Sequence, residues 1–446
     1  MTVFEHRRIG LEQEFFLVGE RGILSNRADE FLDECREAAH AAGRDPGCFA
    51  PECARSMVEV NTPPVHSLAE LAREYLTSLE LALDAGRELG LRLYPLATYP
   101  LRVEPEIRDD LHYQLQARTV GRERFAHAGR CAGVHLHLEA PEAIDPRVGV
   151  SHDAPEAARE ELLNLYNLAT ALDPALVTLT RSSPFYEGTF HGTAARTVFY
   201  RGDPDLFPDG LYAWLEPVGG LLPYAGSVEE LVEQQFARYH AWLAALDRAG
   251  VERRLFFETG GSLLRASWNP VRLNPKGTVE LRNIDGNYPE MVLAIGALVS
   301  AAADRVRREH LTVLPQEDLR VFEVAGDKLS VPDFGHLSGG LFRAAVTEGI
   351  ESQEIVSYLD SVMRFAAGAG TGSGEKNGFE TLRPNGRYRT TEAEVLRGFP
   401  SPVSTITGEK GLELVRGACD ELEKWVISLR RRLEATEAAR AGGSGD

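Results

Sequence analysis

Four separated segments alternate apolar and polar residues with a period of two, the pattern of a strand whose successive side chains point to opposite faces. In IGLEQEFFLV, Ile9, Leu11, Phe15 and Leu17 share one face while Glu12 and Glu14 point the other way. MVEVN sets Glu59 opposite Val58 and Val60, GVHLHLE sets His135, His137 and Glu139 opposite Val134, Leu136 and Leu138, and TVELRNID sets Glu280 and Arg282 opposite Val279 and Leu281. Apolar residues at spacings of three and four predict helices over 67–89, 154–172, 227–248, 289–309 and 411–436. Strands and helices interleave without a strict βαβ rhythm. The pattern therefore predicts an α+β fold, an antiparallel sheet with helices packed on its apolar outer face and its polar face left as a cavity.

The polar face is unusual in its chemistry. Carboxylates at i and i+2 on one strand lie about 7 Å apart, repel, and raise each other's pKa. A divalent cation removes that conflict. Oxygen donors with a single imidazole suit Mg²⁺, or Mn²⁺, better than zinc. A solvent-washed strand also alternates, but such faces mix in Lys, Ser, Thr and Gln, whereas these four segments are acidic and hold no lysine.

Composition narrows the function classes. With 48 basic and 67 acidic residues among 446, the formal charge is -19, which argues against nucleic-acid partners and against an anionic membrane surface. A polyanionic ligand must then be received by metal ions and a few placed arginines, and the expected partners are small molecules. The five cysteines are widely spaced with no CxxC, the usage of reduced thiols in a cytoplasmic protein. No run of 18 or more apolar residues appears, and the N-terminus has no apolar signal core. The Gly-rich stretch around 366–378 reads as a mobile loop that could cover a phosphate, although no Walker pattern is present. Residues 1–310 are expected to form the catalytic domain, 311–436 a mainly helical part packed on it, and 437–446 a disordered tail.

IGLEQEFFLV, MVEVNTPP, CAGVHLHLE, SSPFYEGTFHGTAARTVFY and TVELRNIDGN occur in one order across residues 8–300. That series resembles the glutamate-cysteine ligase and carboxylate-amine ligase family, with its glutamine-synthetase-like catalytic sheet. The resemblance implies an ATP-dependent ligase joining L-glutamate to L-cysteine, or to another amine, through a γ-glutamyl phosphate, with the site on the concave face of the sheet. It also implies two Mg²⁺ groups: Glu14, Glu52 and Glu59 for one cation, and Glu12, His135 and Glu280 for a second that holds the ATP phosphates. Arg282 would meet the transferred phosphoryl group, and Arg196 a substrate carboxylate or phosphate. Neutralising Glu12 or Glu280 is expected to abolish turnover in a folded protein. Two other readings stay open: a metal-dependent hydrolase using His135 and His137, and a silent member that binds nucleotide as a sensor. Monomer and homodimer are equally compatible with the sequence.

Overall fold

Strand β1 (Ile9–Gly19) is the axis of the molecule, because it finds antiparallel partners on both edges. The structure, a computed structural model, describes residues 7–140, 142–191, 194–368, 378–399 and 403–442. Around β1 gather β2 (Phe49–Pro51), β3 (Met57–Asn61), β4 (Leu91–Tyr94), β5 (Gly133–Glu139), β6 (Val271–Asn274) and β7 (Thr278–Asp285). The order is β6-β7-β5-β1-β3-β2, with β4 on the far end of β1, and every pairing is antiparallel. The sequence-based expectation of a mixed fold with an antiparallel sheet holds.

One face is dry. Ile9, Leu11, Phe15, Leu17, Val58, Val60, Val134, Leu136, Leu138, Val279 and Leu281 are all at most 2% exposed. They share a core with Leu71, Tyr75 and Leu79 of helix α2 (Leu68–Leu89), Leu162 and Leu165 of α4 (Glu156–Ala171), Leu176 and Leu179 of α5 (Asp173–Thr180), and Ile295 and Leu298 of α7 (Pro289–Arg308). Each such side chain contributes about 1.5–3 kcal/mol by leaving water. Helix α2 starts at Ser67, whose side chain accepts from Glu70 N, and stops at Gly90, where φ is 66°. Gln13 also points into this face. It is satisfied there by donating to Asn287 O at 2.8 Å and accepting from the Tyr75 hydroxyl.

The other face is not a wet surface. Beyond Glu14 it turns apolar, where Phe16 and Val18 pack with Met57, Tyr94, Leu96 and Tyr99. Helix α3 (Leu111–Val120) lies across from the acids, and α6 (Val228–Arg248) backs it.

Three features depart from the sequence-based expectations. Helix α1 (Ala28–Ala41) was not anticipated, although Ala28, Phe31, Leu32, Cys35 and Ala39 carry a helical stripe. The segment expected to be mainly helical contains α8 (Gln353–Ala367) but opens with a three-stranded sheet, β8 (Thr312–Gln316), β9 (Glu323–Ala325) and β10 (Lys328–Pro332). Helix α9 (Gly408–Gly442) continues through 437–442, where a disordered tail was expected. The EATEAARA run favours helix, and Glu437 pairs with Arg73 of α2 at 2.5 Å. Most of the Gly-rich loop, 369–377, lies outside the described residues, as do 443–446. No described helix is long and apolar enough to cross a membrane.

Candidate active site

Strand register assembles the polar face in three cross-strand rows. Residues directly opposite each other share a face and touch. Arg272, Glu280, His137 and Gly10 form the first row across β6, β7, β5 and β1. His135, Glu12 and Asn61 form the second, and Glu14 faces Glu59 in the third. A bulge in β7 sets Leu281 against Leu136 but Ile284 against Val134, so Arg282 and Asn283 crowd opposite His135 and the Arg282 guanidinium stays over the acids.

His135 is the hub. Its Nδ1 lies 3.3 Å from Glu12 Oε2 and 3.9 Å from Glu280 Oε1, and its Nε2 lies 3.6 Å from Glu14 Oε1. Two groups of donor atoms come within 4.8 Å of one another: Glu12, His135 and Glu280, and Glu14, Glu59 and His135. The first is the expected second-cation set. The second contains Glu14 and Glu59 as expected but adds His135 in the place assigned to Glu52. Glu52 lines the same cavity outside that tight trio, where its carboxylate accepts from Cys53 N at 3.1 Å. Carboxylates with one imidazole are a donor chemistry that fits a hard divalent cation.

Glu280 differs from its neighbours. It is fully buried and accepts from Arg272 Nε at 2.6 Å and Nη2 at 3.0 Å, from Arg282 Nη1 at 2.6 Å, and from Asn274 Nδ2. A carboxylate has roughly four lone-pair positions, and these donors use them. Burial alone would raise its pKa, but Arg272 and Arg282 hold it well below the usual range. Arg272 and Asn274 were missed in the sequence. The alternation of Val271-Arg272-Leu273-Asn274 just before a Pro-Lys-Gly turn was the available signal.

The remaining acids have fewer partners. Burial would also raise Glu12, but His135 and His137 outweigh it and hold Glu12 anionic, with Lys276 Nζ 2.8 Å from its Oε1. Burial, then the charge on Glu14, pushes Glu52 up to about 8. Burial, then Glu12, Glu52 and Glu14, drives Glu59 well above the carboxylate range. Burial and the Arg282 charge lower His135, which therefore stays neutral and available as a ligand. His137 meets Thr278 Oγ1 at 2.9 Å and Glu12 Oε1 at 3.3 Å.

A cavity of about 350 Å³ lies over this floor. Its walls, not foreseen from sequence, are His112, Tyr113 and Gln116 of α3 and Leu264, Arg265 and Trp268 of a turn before β6, with Phe125, Tyr200 and Tyr212 at an aromatic end. Cys53 and Cys131 line it too, but burial raises both thiols, so neither is a ready nucleophile. A second cavity of about 430 Å³ meets the first at Glu12 and Lys276, and is lined by Arg8, Leu11, Pro64, His137, Glu139 and Ile144 among others.

Arg196 sits elsewhere than the sequence suggested. It is 4% exposed, outside the lining of both cavities, and donates from Nη2 to Arg282 O at 3.0 Å. Gly133 makes this possible, since a Cβ there would lie 2.1 Å from Arg196 Nη2. Arg196 thus props the backbone of Arg282.

Known proteins resemble this chain in sequence and in fold. Residues 8–325 match the model of the Glutamate-cysteine ligase family 2. A Salinispora arenicola protein provisionally named glutamate--cysteine ligase 2 is 27% identical over 245 residues, 54% of this chain and 53% of its own length. A Rubrobacter xylanophilus protein provisionally named glutamate--cysteine ligase 2-3 is 28% identical over 309 residues, 68% of this chain and 71% of its own. The match to the first of these thus spans about half of that relative. Among solved structures, the bifunctional glutathione synthetase from Pasteurella multocida superposes with a TM-score of 0.55 at 14% identity, over 94% of this chain and 53% of that one. That likeness bears on the fold.

Proposed function

The chain belongs to glutamate-cysteine ligase family 2, and from that premise we propose that it is an ATP- and Mg²⁺-dependent ligase that activates the γ-carboxylate of L-glutamate and transfers the γ-glutamyl group to an amine. L-cysteine is the acceptor proposed, with γ-glutamylcysteine as product. The convergence of Glu12, Glu14, Glu59 and Glu280 from four paired strands on His135, beside Arg282, carries this reading.

A carboxylate is a poor electrophile, so its oxygen must first attack the γ-phosphorus of ATP. The bond to the β-phosphate oxygen breaks, ADP departs, and an acyl phosphate remains. The amine nitrogen then attacks the carbonyl carbon; the carbon–oxygen bond to phosphate breaks, phosphate leaves with the electron pair, and the nitrogen loses a proton. Phosphoryl transfer asks the protein for positioning and charge neutralisation more than for covalent help. Arg282, held against Glu280 and propped by Arg196, would meet charge on the transferred group. Glu12, Glu14, Glu59 and His135, with Glu52 close by, would hold Mg²⁺, which would offset the negative charge of the phosphates. The second cavity, with Leu11, Pro64 and Ile144 beside Arg8 and Glu139, suits a nucleoside whose phosphates reach Lys276 and Glu12.

Phosphate release with ATP, L-glutamate and a panel of amines, with mass detection of the product, tests the proposal. ATP turnover that needs both glutamate and an amine, with γ-glutamylcysteine formed, is expected. Binding without turnover would mark a sensor, and turnover indifferent to ATP would mark the hydrolase. The structure gives the hydrolase little support, because each candidate metal group among the described residues contains one histidine, not several.

A further inference from the structure

Four basic side chains line the cavity over the acids, and three of them are already engaged. Arg272 makes two bonds to Glu280 and a third to Ser267 O at 2.7 Å. Arg282 is held by Glu280, and Lys276 by Glu12. Arg265 is exposed, and its guanidinium has no ion pair or hydrogen bond among the described residues. Its backbone is nevertheless fixed, since Leu264, Ala266 and Ser267 are all fully buried and Arg265 N donates to Ser262 O at 3.1 Å. A firmly anchored backbone thus presents an unengaged planar cation at the wall of a carboxylate-rich cavity. His112, on the same wall, does not compete for anions, because burial lowers its pKa by more than nearby Asp110 raises it.

An amino-acid substrate brings a carboxylate that takes no part in the chemistry. Placed in a cavity already lined by Glu12, Glu14, Glu52 and Glu59, that group is repelled unless a cation receives it. Guanidinium matches a carboxylate with two parallel hydrogen bonds. We propose that Arg265 receives the non-reacting carboxylate of an amino-acid substrate and so makes the enzyme prefer amino acids to carboxylate-free analogues. This rests on the ligase reading above. The carboxylate can belong to the donor or to the acceptor, and matched substrate pairs separate the two sources.

The test compares wild type, Arg265→Ala and Arg265→Lys in kcat/KM. L-glutamate against 4-aminobutyrate varies the donor, and L-cysteine against cysteamine varies the acceptor. For one pair, Arg265→Ala is expected to lower kcat/KM roughly 10- to 100-fold for the carboxylate-bearing member. The carboxylate-free member should change less than about twofold, and the KM for ATP should hold; Arg265→Lys should recover part of the loss. The affected pair identifies the substrate. Equal losses for both members of both pairs, or no loss at all, would overturn the proposal. If the wild-type protein forms no amide from any pair, the ligase reading fails on its own. Calorimetric titration of L-glutamate and L-cysteine into wild type and Arg265→Ala then still decides the point: weaker binding of either amino acid by the variant supports Arg265, and equal binding of both overturns it.

Discussion

Glu280 and Glu59 stand on the same sheet face, one strand row apart from the hub histidine on either side, yet they live in opposite electrostatic worlds. Glu280 is wrapped by two arginines and an asparagine, so its charge is neutralised by the chain itself. Glu59 faces Glu14 across the strand pair, with Glu12 and Glu52 close by, and must take up a proton or a cation to be comfortable. The same residue type is thus a structural anchor in one place and a vacancy in charge in the other. The difference teaches that acidity alone does not mark a metal ligand; what matters is whether the fold has already supplied the counter-charge.

The largest effect is expected at the anchor. Glu280→Gln would leave Arg272 and Arg282 buried without their anion, and breaking such a pair costs about 3–5 kcal/mol. The urea midpoint should fall accordingly, with turnover lost as well, which revises the expectation of an inactive but unimpaired fold; an unchanged midpoint would show that the arginines find other partners. Glu59→Gln should behave in the opposite way. Turnover should drop by more than about 100-fold on loss of a charge-stabilising ligand, while metal-free stability stays within about 1 kcal/mol or improves. The stabilisation expected from Mg²⁺ in the wild type, roughly 2.7 kcal/mol at a hundredfold excess over Kd and read as a rise in Tm, should shrink. A Glu59→Gln variant with full Mg²⁺ stabilisation would remove Glu59 from the cation site.

A smaller effect should appear with pH. The pKa of Glu52 is raised in the folded protein to about 8, so between about pH 5 and 8 the native state binds more protons than the unfolded chain. Metal-free stability should therefore be greatest at the acid side and decline as pH rises through that window, by at most about 1.4 kcal/mol per unit for one group. Glu52→Gln should flatten the slope in chemical denaturation series, and saturating Mg²⁺ should flatten it too. A slope of the opposite sign would mean the carboxylate is ionised when folded. Least of all, Lys276→Met should tighten Mn²⁺ binding a few-fold by removing the ammonium that competes for Glu12; weaker binding would show that Lys276 assists the cation instead.

Strand parity was legible in the chain because period two is set by the backbone: every acid assigned to the polar face is found there. Helix limits were legible where a cap and an apolar stripe coincide, as at Ser67 and Gly90. What was hidden depends on partners distant in sequence. Gln13 looks like a flaw in an apolar face until Tyr75 and Asn287 are brought to it. Arg196 looked like a contact for substrate because nothing local reveals that Gly133 leaves room for its guanidinium against the strand. The opposite wall, with His112, Tyr113 and Arg265, comes from a helix and a turn whose own patterns say nothing about the cavity they cover.

The irregular step in β7 has a further consequence. Two side chains stand against one between Leu281 and Ile284, so the alternation is reset halfway along the strand: odd numbers face the helices before it, even numbers after it. Were the strand regular with Asn283 kept, that residue would stand against Val134, sending Ile284 toward the acids and Asp285 into hydrocarbon; without Asn283 a regular ladder would keep Ile284 against Val134 and Asp285 against Gly133. The bend therefore absorbs one surplus residue and keeps both halves of the strand in frame, and losing that residue should disturb the strand less than flattening the bend around it.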